Sequence, residues 1–201
     1  VVLLYHSSYK NPPSDLSTAI HNVEPNEMRK QLIWLKNNFD IVSIDKLFSS
    51  TDIKGKAAIT FDDAYQSFFD EAVPIFQELN IPCTMFIVGC TMDNKIFWRD
   101  KIRYIINKSL IKDFLDKNNQ FCKRHKINFD NFYSRTKHKS VNSIEIDTLL
   151  DQYFETNNVN LKSLSHCLND RKMLSKDQLF TYGSHSYNHY VMSSLTEDQQ
   201  Y

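Results

Sequence analysis

Ala57-Ala58-Ile59-Thr60-Phe61-Asp62-Asp63 decides how the chain folds, read together with Pro74 and with Cys83-Thr84-Met85-Phe86-Ile87-Val88 downstream. Ala57 to Phe61 is a compact apolar run closed at once by two carboxylates. Phe69, Ala72, Val73 and Phe76 then recur at helical spacing, and Pro74 must kink or restart that helix. Cys83 to Val88 is a second apolar run, ending at Gly89. Strand, helix and strand over this distance make a βαβ unit, with the two strands parallel and the crossover right-handed. Parallel sheets bury both faces, which is why the runs are continuously apolar rather than alternating. The acidic pair falls at the carboxyl end of its strand, where α/β barrels place their chemistry.

Working outward, Val1 to Tyr5 reads as a buried strand ending at His6, and Tyr9 to Asn22, with Pro12-Pro13, as a surface loop. Pro25 suits a first helical turn, and Met28, Leu32, Leu35 and Phe39 give an amphipathic helix. Ile41 to Ile44 reads as a short strand, with Asp45 capping the turn that carries Leu47 and Phe48. From Asp93 to about Arg171 the chain becomes rich in Lys, Asn and Phe, with helical fragments at Ile102–Leu115 and Ile144–Phe154 and no comparable strand. Met173 to Leu179 reads as a helix capped by Ser175, with Gln178 three residues on.

Composition narrows the function. The 24 basic and 24 acidic side chains give a formal net charge of +0. A nucleic-acid binder needs a basic surface to displace counterions, so none is expected. Only three glycines are present and none forms a phosphate-cradling loop, which excludes a Rossmann or P-loop site. Cys83, Cys90, Cys122 and Cys167 lack CxxC spacing and read as buried thiols. No apolar stretch approaches the ~18 residues of a membrane span. The start at Val1 has neither a charged segment nor a cleavage site, so a cytoplasmic location is expected over secretion, for a chain whose missing initiator Met marks it as trimmed.

Adjacent carboxylates repel, and one is pushed toward protonation unless a cation is near. In isolation, Asp62 and Asp63 are also suited to capping a following helix. Downstream, His185-Ser186-Tyr187-Asn188-His189 sets two imidazoles four residues apart, a spacing that shares one face of a helical turn and suits a single ion. Together the four residues offer one carboxylate and two imidazoles to hold a metal, and a spare carboxylate to take a proton from water.

These motifs carry a resemblance. Ala58 to Asp63, Pro74, Ile81 to Phe86 and His185 to His189 resemble the polysaccharide deacetylase family, the NodB homology domain, and Leu4-Tyr5-His6 and Met28 to Ile44 are similar to its opening strand and helix. The resemblance implies an α/β fold: a distorted (β/α) barrel, incomplete at the C-terminus, over 1–92 and 173–201, with a helical insertion at 93–172. That insertion resembles a variable segment of members linked to surface-polysaccharide synthesis. Carried over residue by residue, Asp62 matches the family's general base, and Asp63, His185 and His189 match its metal ligands. His6 matches a histidine at the mouth of the site, with no role assigned. The implied activity is metal-dependent hydrolysis of the N-acetyl groups of a glycan or glycan precursor, with zinc as the usual ion. The implied partner is an N-acetylated carbohydrate.

Two departures bear on this. Where the family has glycine after the acidic pair this chain has Ala64, which introduces ~1 kcal/mol of strain if φ is positive there. The family's Arg-Pro-Tyr-like segment and its late histidine general acid have no match before Tyr201, and half a barrel leaves open sheet edges. The expectation is a piece of a longer protein rather than a degenerate remnant. A catalytically inactive carbohydrate-binding protein and an O-acetyl esterase are the alternatives.

Overall fold

In the computed structural model, which describes residues 1–174 and 176–200, the chain divides into two compact units. The first comprises Val1–Pro12, Ile20–Asn94 and His166–Tyr187; the second comprises Pro13–Ala19, Lys95–Ser165 and residues 188–200.

The first unit is α/β. Its elements are β1 (Val2–Tyr5), α1 (Pro25–Asn38), β2 (Asp40–Ile41), α2 (Ile44–Ser49), β3 (Lys56–Phe61), α3 (Val73–Leu79), β4 (Cys83–Ile87) and β5 (Phe180–Ser184). Every pairing is parallel, in the order β1-β3-β4-β5, with β2 joined to the first two residues of β3. The path is open, with β1 and β5 at its ends, so the expected barrel is present as an unclosed sheet. Ala57 to Phe61 are all buried, as a central parallel strand requires. β1 is not buried throughout: as an end strand it alternates, with Val2 and Leu4 half exposed and Tyr5 in the core.

Local chemistry sets the helix limits. The Glu24 carboxylate accepts from the Asn26 and Glu27 N–H groups, Pro25 fits the first turn, and Met28, Leu32 and Leu35 are buried. Phe39, expected inside this helix, is its extended C-cap. The expected strand to Ile44 ends at Ile41, and Ser43 rather than Asp45 caps α2: Ser43 Oγ accepts from the Lys46 N–H. Around Pro74 the helix restarts. A π-helical turn, Phe68–Ala72, precedes α3 and rotates the buried face onto Phe68, Ala72, Ile75 and Phe76. The helix expected from Met173 to Leu179 does not form over 176–179. There the Asp177 carboxylate accepts from the Leu179 N–H and its carbonyl from the Phe180 N–H, a turn that feeds β5. Its proposed cap, Ser175, lies outside the described residues.

The core of this unit is aromatic. Phe61 lies 5.2 Å from Tyr5, 4.9 Å from Phe68 and 6.0 Å from Phe76, ring centre to ring centre. Phe68 and Phe76 in turn pack edge-on to Phe180 of β5. Such rings contribute about 0.5–1.5 kcal/mol per pair beyond area burial.

The second unit is helical, with α4 (Trp98–Asn107), α5 (Ile111–Lys117), α6 (Asn119–Arg124), α7 (Phe132–Thr136), α8 (Ser143–Thr156) and α9 (Glu197–Gln200). The stretch expected as one helix at 102–115 breaks where Ser109 turns left-handed, φ +58°. Trp98, Ile102, Ile105, Phe114, Phe132 and Phe154 form the core. Lys101, itself buried, is neutralised by Asp147 at 2.6 Å and Asp151 at 2.5 Å, and Arg103 by Asp100 at 2.6 Å. The segment 13–19, expected as surface, buries Leu16 and is bonded to α4: the Thr18 N–H donates to Asn107 Oδ1 at 2.9 Å. All four cysteines are buried. Among the described residues no helix is long and apolar enough to cross a membrane.

Gly183 of β5 sits opposite Phe86 of β4, and a Cβ there would come 2.7 Å from the Phe86 ring. Gly183→Ala is expected to lower stability by about 1–3 kcal/mol in urea unfolding, with part of the loss recovered when Phe86→Leu is added.

Candidate active site

The sheet register brings separate parts of the chain to one level. Thr60, Thr84 and Thr181 align across β3, β4 and β5, as do Phe61, Met85 and Tyr182. The Thr84 and Thr181 hydroxyls bond at 2.7 Å. Continuing past this level, β3 delivers Asp62 and Asp63, and β5 delivers His185. The Asp62 N–H donates to the Tyr5 carbonyl at 3.0 Å, and the His185 N–H to the Ile87 carbonyl at 2.8 Å. Tyr5 pairs with Phe61, so His6 falls level with Asp62, its ring 5.1 Å from that of His21.

The acidic pair stands apart from the next helical residues, Gln66 and Ser67, with the turn at Asp63–Ala64 and the bridge residue Tyr65 between. Asp63 and Ala64 both turn left-handed, φ +71° and +63°. Ala64 therefore adopts the positive φ for which the family's glycine is suited. Two such residues in succession are costly and need outside support. Support comes from the chain at 166–168: the Leu168 N–H donates to the Ala64 carbonyl and the Gln66 N–H to the His166 carbonyl, each at 2.8 Å. Tyr65 and Cys167 form an antiparallel bridge, and the Tyr9 hydroxyl also donates to the His166 carbonyl, at 3.1 Å. No sequence motif marks this clamp.

His185 Nε2 stands 3.7 Å from Asp62 Oδ2 and 3.7 Å from Asp63 Oδ1. The two carboxylates differ in environment: the Asp63 side chain is 2% exposed and that of Asp62 16%. Burial pushes the Asp62 carboxyl above its ordinary range, while the neighbouring His185 pulls the other way. Two ligands of one tetrahedral ion, each 2.0–2.2 Å from it, stand roughly 3.3 Å apart. A carboxylate oxygen and an imidazole nitrogen at 3.7 Å therefore fit a shared divalent ion with a small adjustment.

The segment after His185 is not helical, contrary to the spacing argument: Ser186 and His189 have φ +60° and +58°. Its first part is pinned by the Gly89 N–H donating to the Ser186 carbonyl at 2.9 Å and the Cys90 N–H to the Tyr187 carbonyl at 2.8 Å. A Cβ at Gly89 would lie 2.9 Å from the Tyr187 ring and 3.3 Å from its Cα, so this close approach requires glycine. Asp62, Asp63 and His185 are thus brought together in the first unit. His189 belongs to the second. There its carbonyl accepts from the Trp98 indole N–H at 2.9 Å, and its ring lies 5.4 Å from that of Phe97. Neither aromatic carried a site signal in the sequence.

With this geometry in hand, comparison with known proteins is informative. Residues 49–159, more than half of the chain, match the family model for polysaccharide deacetylase. No curated protein matches. Among solved structures, the chain is similar to a de-N-acetylase from Aggregatibacter actinomycetemcomitans, at 24% identity and a TM-score of 0.38, covering 46% of this chain and 38% of that one. It is also similar to the Streptococcus pyogenes deacetylase PplD in complex with acetate, at 24% identity and a TM-score of 0.39, covering 45% and 43%. IcaB from Ammonifex degensii gives 21% and 0.40, covering 54% and 48%. The chain spans less than half the length of each of these structures.

Ala64 is fully buried as well as left-handed. Ala64→Val adds a β-branch where φ is positive and a methyl group pair where the core is full. The expected loss is about 3 kcal/mol, read from the urea midpoint at unchanged slope.

Proposed function

This chain belongs to the polysaccharide deacetylase family, and on that premise we propose that it hydrolyses N-acetyl groups of a glycan or glycan precursor. The observation that carries the reading is the His185 imidazole standing 3.7 Å from each of two adjacent carboxylates of unequal burial.

Asp63, His185 and His189 are the proposed ligands of a divalent ion, with zinc favoured by the one-oxygen, two-nitrogen donor set. When bound, the ion supplies Lewis acidity that polarises the acetamide carbonyl and lowers the pKa of water. The almost wholly buried Asp63 is suited to the ligand role, since an ion compensates the charge it brings into the interior. Asp62, more exposed and with its pKa raised by burial, is suited to the base. Its carboxylate takes one proton from the attacking water as the new C–O bond forms at the acetyl carbon. Cleavage of the C–N bond then needs a proton on the departing nitrogen. In the family that proton comes from a late histidine, for which the resemblance finds no match before Tyr201. The products are acetate and the free amino sugar.

The test uses the full chain loaded with zinc and an N-acetylated chito-oligosaccharide. One zinc per chain is expected in the wild type and in Asp62→Asn, with stoichiometric binding lost in Asp63→Ala, His185→Ala and His189→Ala. Acetate release is expected to fall by about 10²–10⁴-fold in Asp62→Asn. Zinc retained equally by the three ligand variants, or acetate release indifferent to Asp62→Asn, would refute the reading. Zinc binding without acetate release in the wild type would point to an inactive carbohydrate-binding protein.

A further inference from the structure

His189 is the one proposed ligand that belongs to the helical unit, and that unit holds three successive residues around it. The His189 carbonyl accepts from the indole N–H of Trp98 at 2.9 Å. The Tyr190 hydroxyl donates to Asp147 Oδ2 at 2.8 Å. The Val191 N–H donates to Ser143 Oγ at 3.1 Å. Only the first of these bonds acts on the ligand residue itself.

Trp98 is suited to hold that bond in one direction. Its side chain is fully buried in the helical core, at the start of α4. The Arg99 guanidinium stacks between the rings of Trp98, at 4.6 Å, and Tyr133, at 4.5 Å. An indole packed on both core and cation has little rotational freedom, so its N–H direction is set before any ion arrives. His189 needs such a partner, because its left-handed φ of +58° is uncommon for a residue with a Cβ. Releasing the carbonyl frees the torsions on both sides of the His189 Cα, and the imidazole, which leans on the Phe97 ring at 5.4 Å, loses the backbone that fixes its direction.

We propose that Trp98 is a positioning residue for the active site, its indole N–H fixing the His189 backbone so that the imidazole is presented for metal binding. The inference rests on the metal-ligand role proposed for His189. Groups that orient a ligand commonly change metal affinity or activity by 10–100-fold when removed.

The cleanest variant replaces Trp98 in the full chain with 3-benzothienyl-alanine, which keeps the bicyclic shape and exchanges the N–H for sulfur. Trp98→Phe is the genetic counterpart. Zinc dissociation constants are measured by chelator competition, the visible absorption of the cobalt(II) form is recorded, and the thermal midpoint of the metal-free protein is taken alongside. The expected result for the benzothienyl protein is 10–100-fold weaker zinc binding and altered cobalt(II) bands, with the metal-free midpoint near that of the wild type. Wild-type zinc affinity and an unchanged cobalt(II) spectrum in the benzothienyl protein would overturn the proposal, whatever Trp98→Phe does to stability. His189→Ala separates the two readings. If it binds zinc as tightly as wild type, the ligand role fails. If it loses zinc while the benzothienyl protein does not, the ligand role stands and the positioning role fails.

Discussion

Phe61 is the last residue of the central strand, and its ring fills the space bounded by Tyr5 of β1, Phe68 of the π-helical turn and Phe76 of α3. Phe68 and Phe76 are the rings that also receive Phe180, the first residue of β5. One aromatic cluster therefore joins the strand that ends in Asp62 and Asp63 to the strand that ends in His185. The parallel register converts that packing into alignment, because Phe61, Met85 and Tyr182 share a level and the reactive side chains follow immediately. Without the cluster, 3.7 Å separations between residues more than a hundred positions apart in sequence would have no cause.

Backbone strain is distributed in a way that singles out the same place. Among the described residues, nine non-glycine residues have positive φ. Asn80, Asn94, Ser109, Lys126 and Asn158 each end or follow a helical segment, where a left-handed residue satisfies the last carbonyls. Asp63, Ala64, Ser186 and His189 do not. They lie in the two segments that carry the candidate ligands, and each conformation costs of the order of 1–3 kcal/mol that neighbouring contacts must offset. The segment 166–168, the Gly89–Cys90 backbone and the Trp98 indole supply those contacts. Strained backbone is more often found at functional sites than in ordinary surface loops, and here it flanks the candidate ligands.

Much of this was legible in the sequence because it is local. The apolar run Ala57–Phe61, its parallel partner from Cys83 and the restart at Pro74 follow from short-range pattern and sterics. Asp62, Asp63 and the histidine pair were singled out by residue type and spacing, and the structure brings Asp62, Asp63 and His185 together. The missed features are non-local. β5 was not read as a strand, since Thr181, Tyr182 and Gly183 make a weak pattern whose burial depends on Phe86 covering the glycine. The 166–168 clamp is invisible because its bonds to Ala64 and Gln66 run between backbone groups, which leave no residue-type signal. The histidine spacing pointed to a helical turn, yet Ser186 and His189 leave that conformation to meet bonds from distant residues. Asp45 lost the cap to Ser43 by two positions, the scale on which local rules for helix ends compete.

The central claim is that Asp63 and His185 share one ion while Asp62 stands beside it as the base. Anomalous diffraction at the zinc edge, on crystals of the full chain grown with zinc, tests it most directly. The account predicts a single strong peak about 2.0–2.2 Å from both Asp63 Oδ1 and His185 Nε2, with Asp62 Oδ2 outside bonding distance. A peak centred on Asp62 instead, or no peak at this site at saturating zinc, would contradict it.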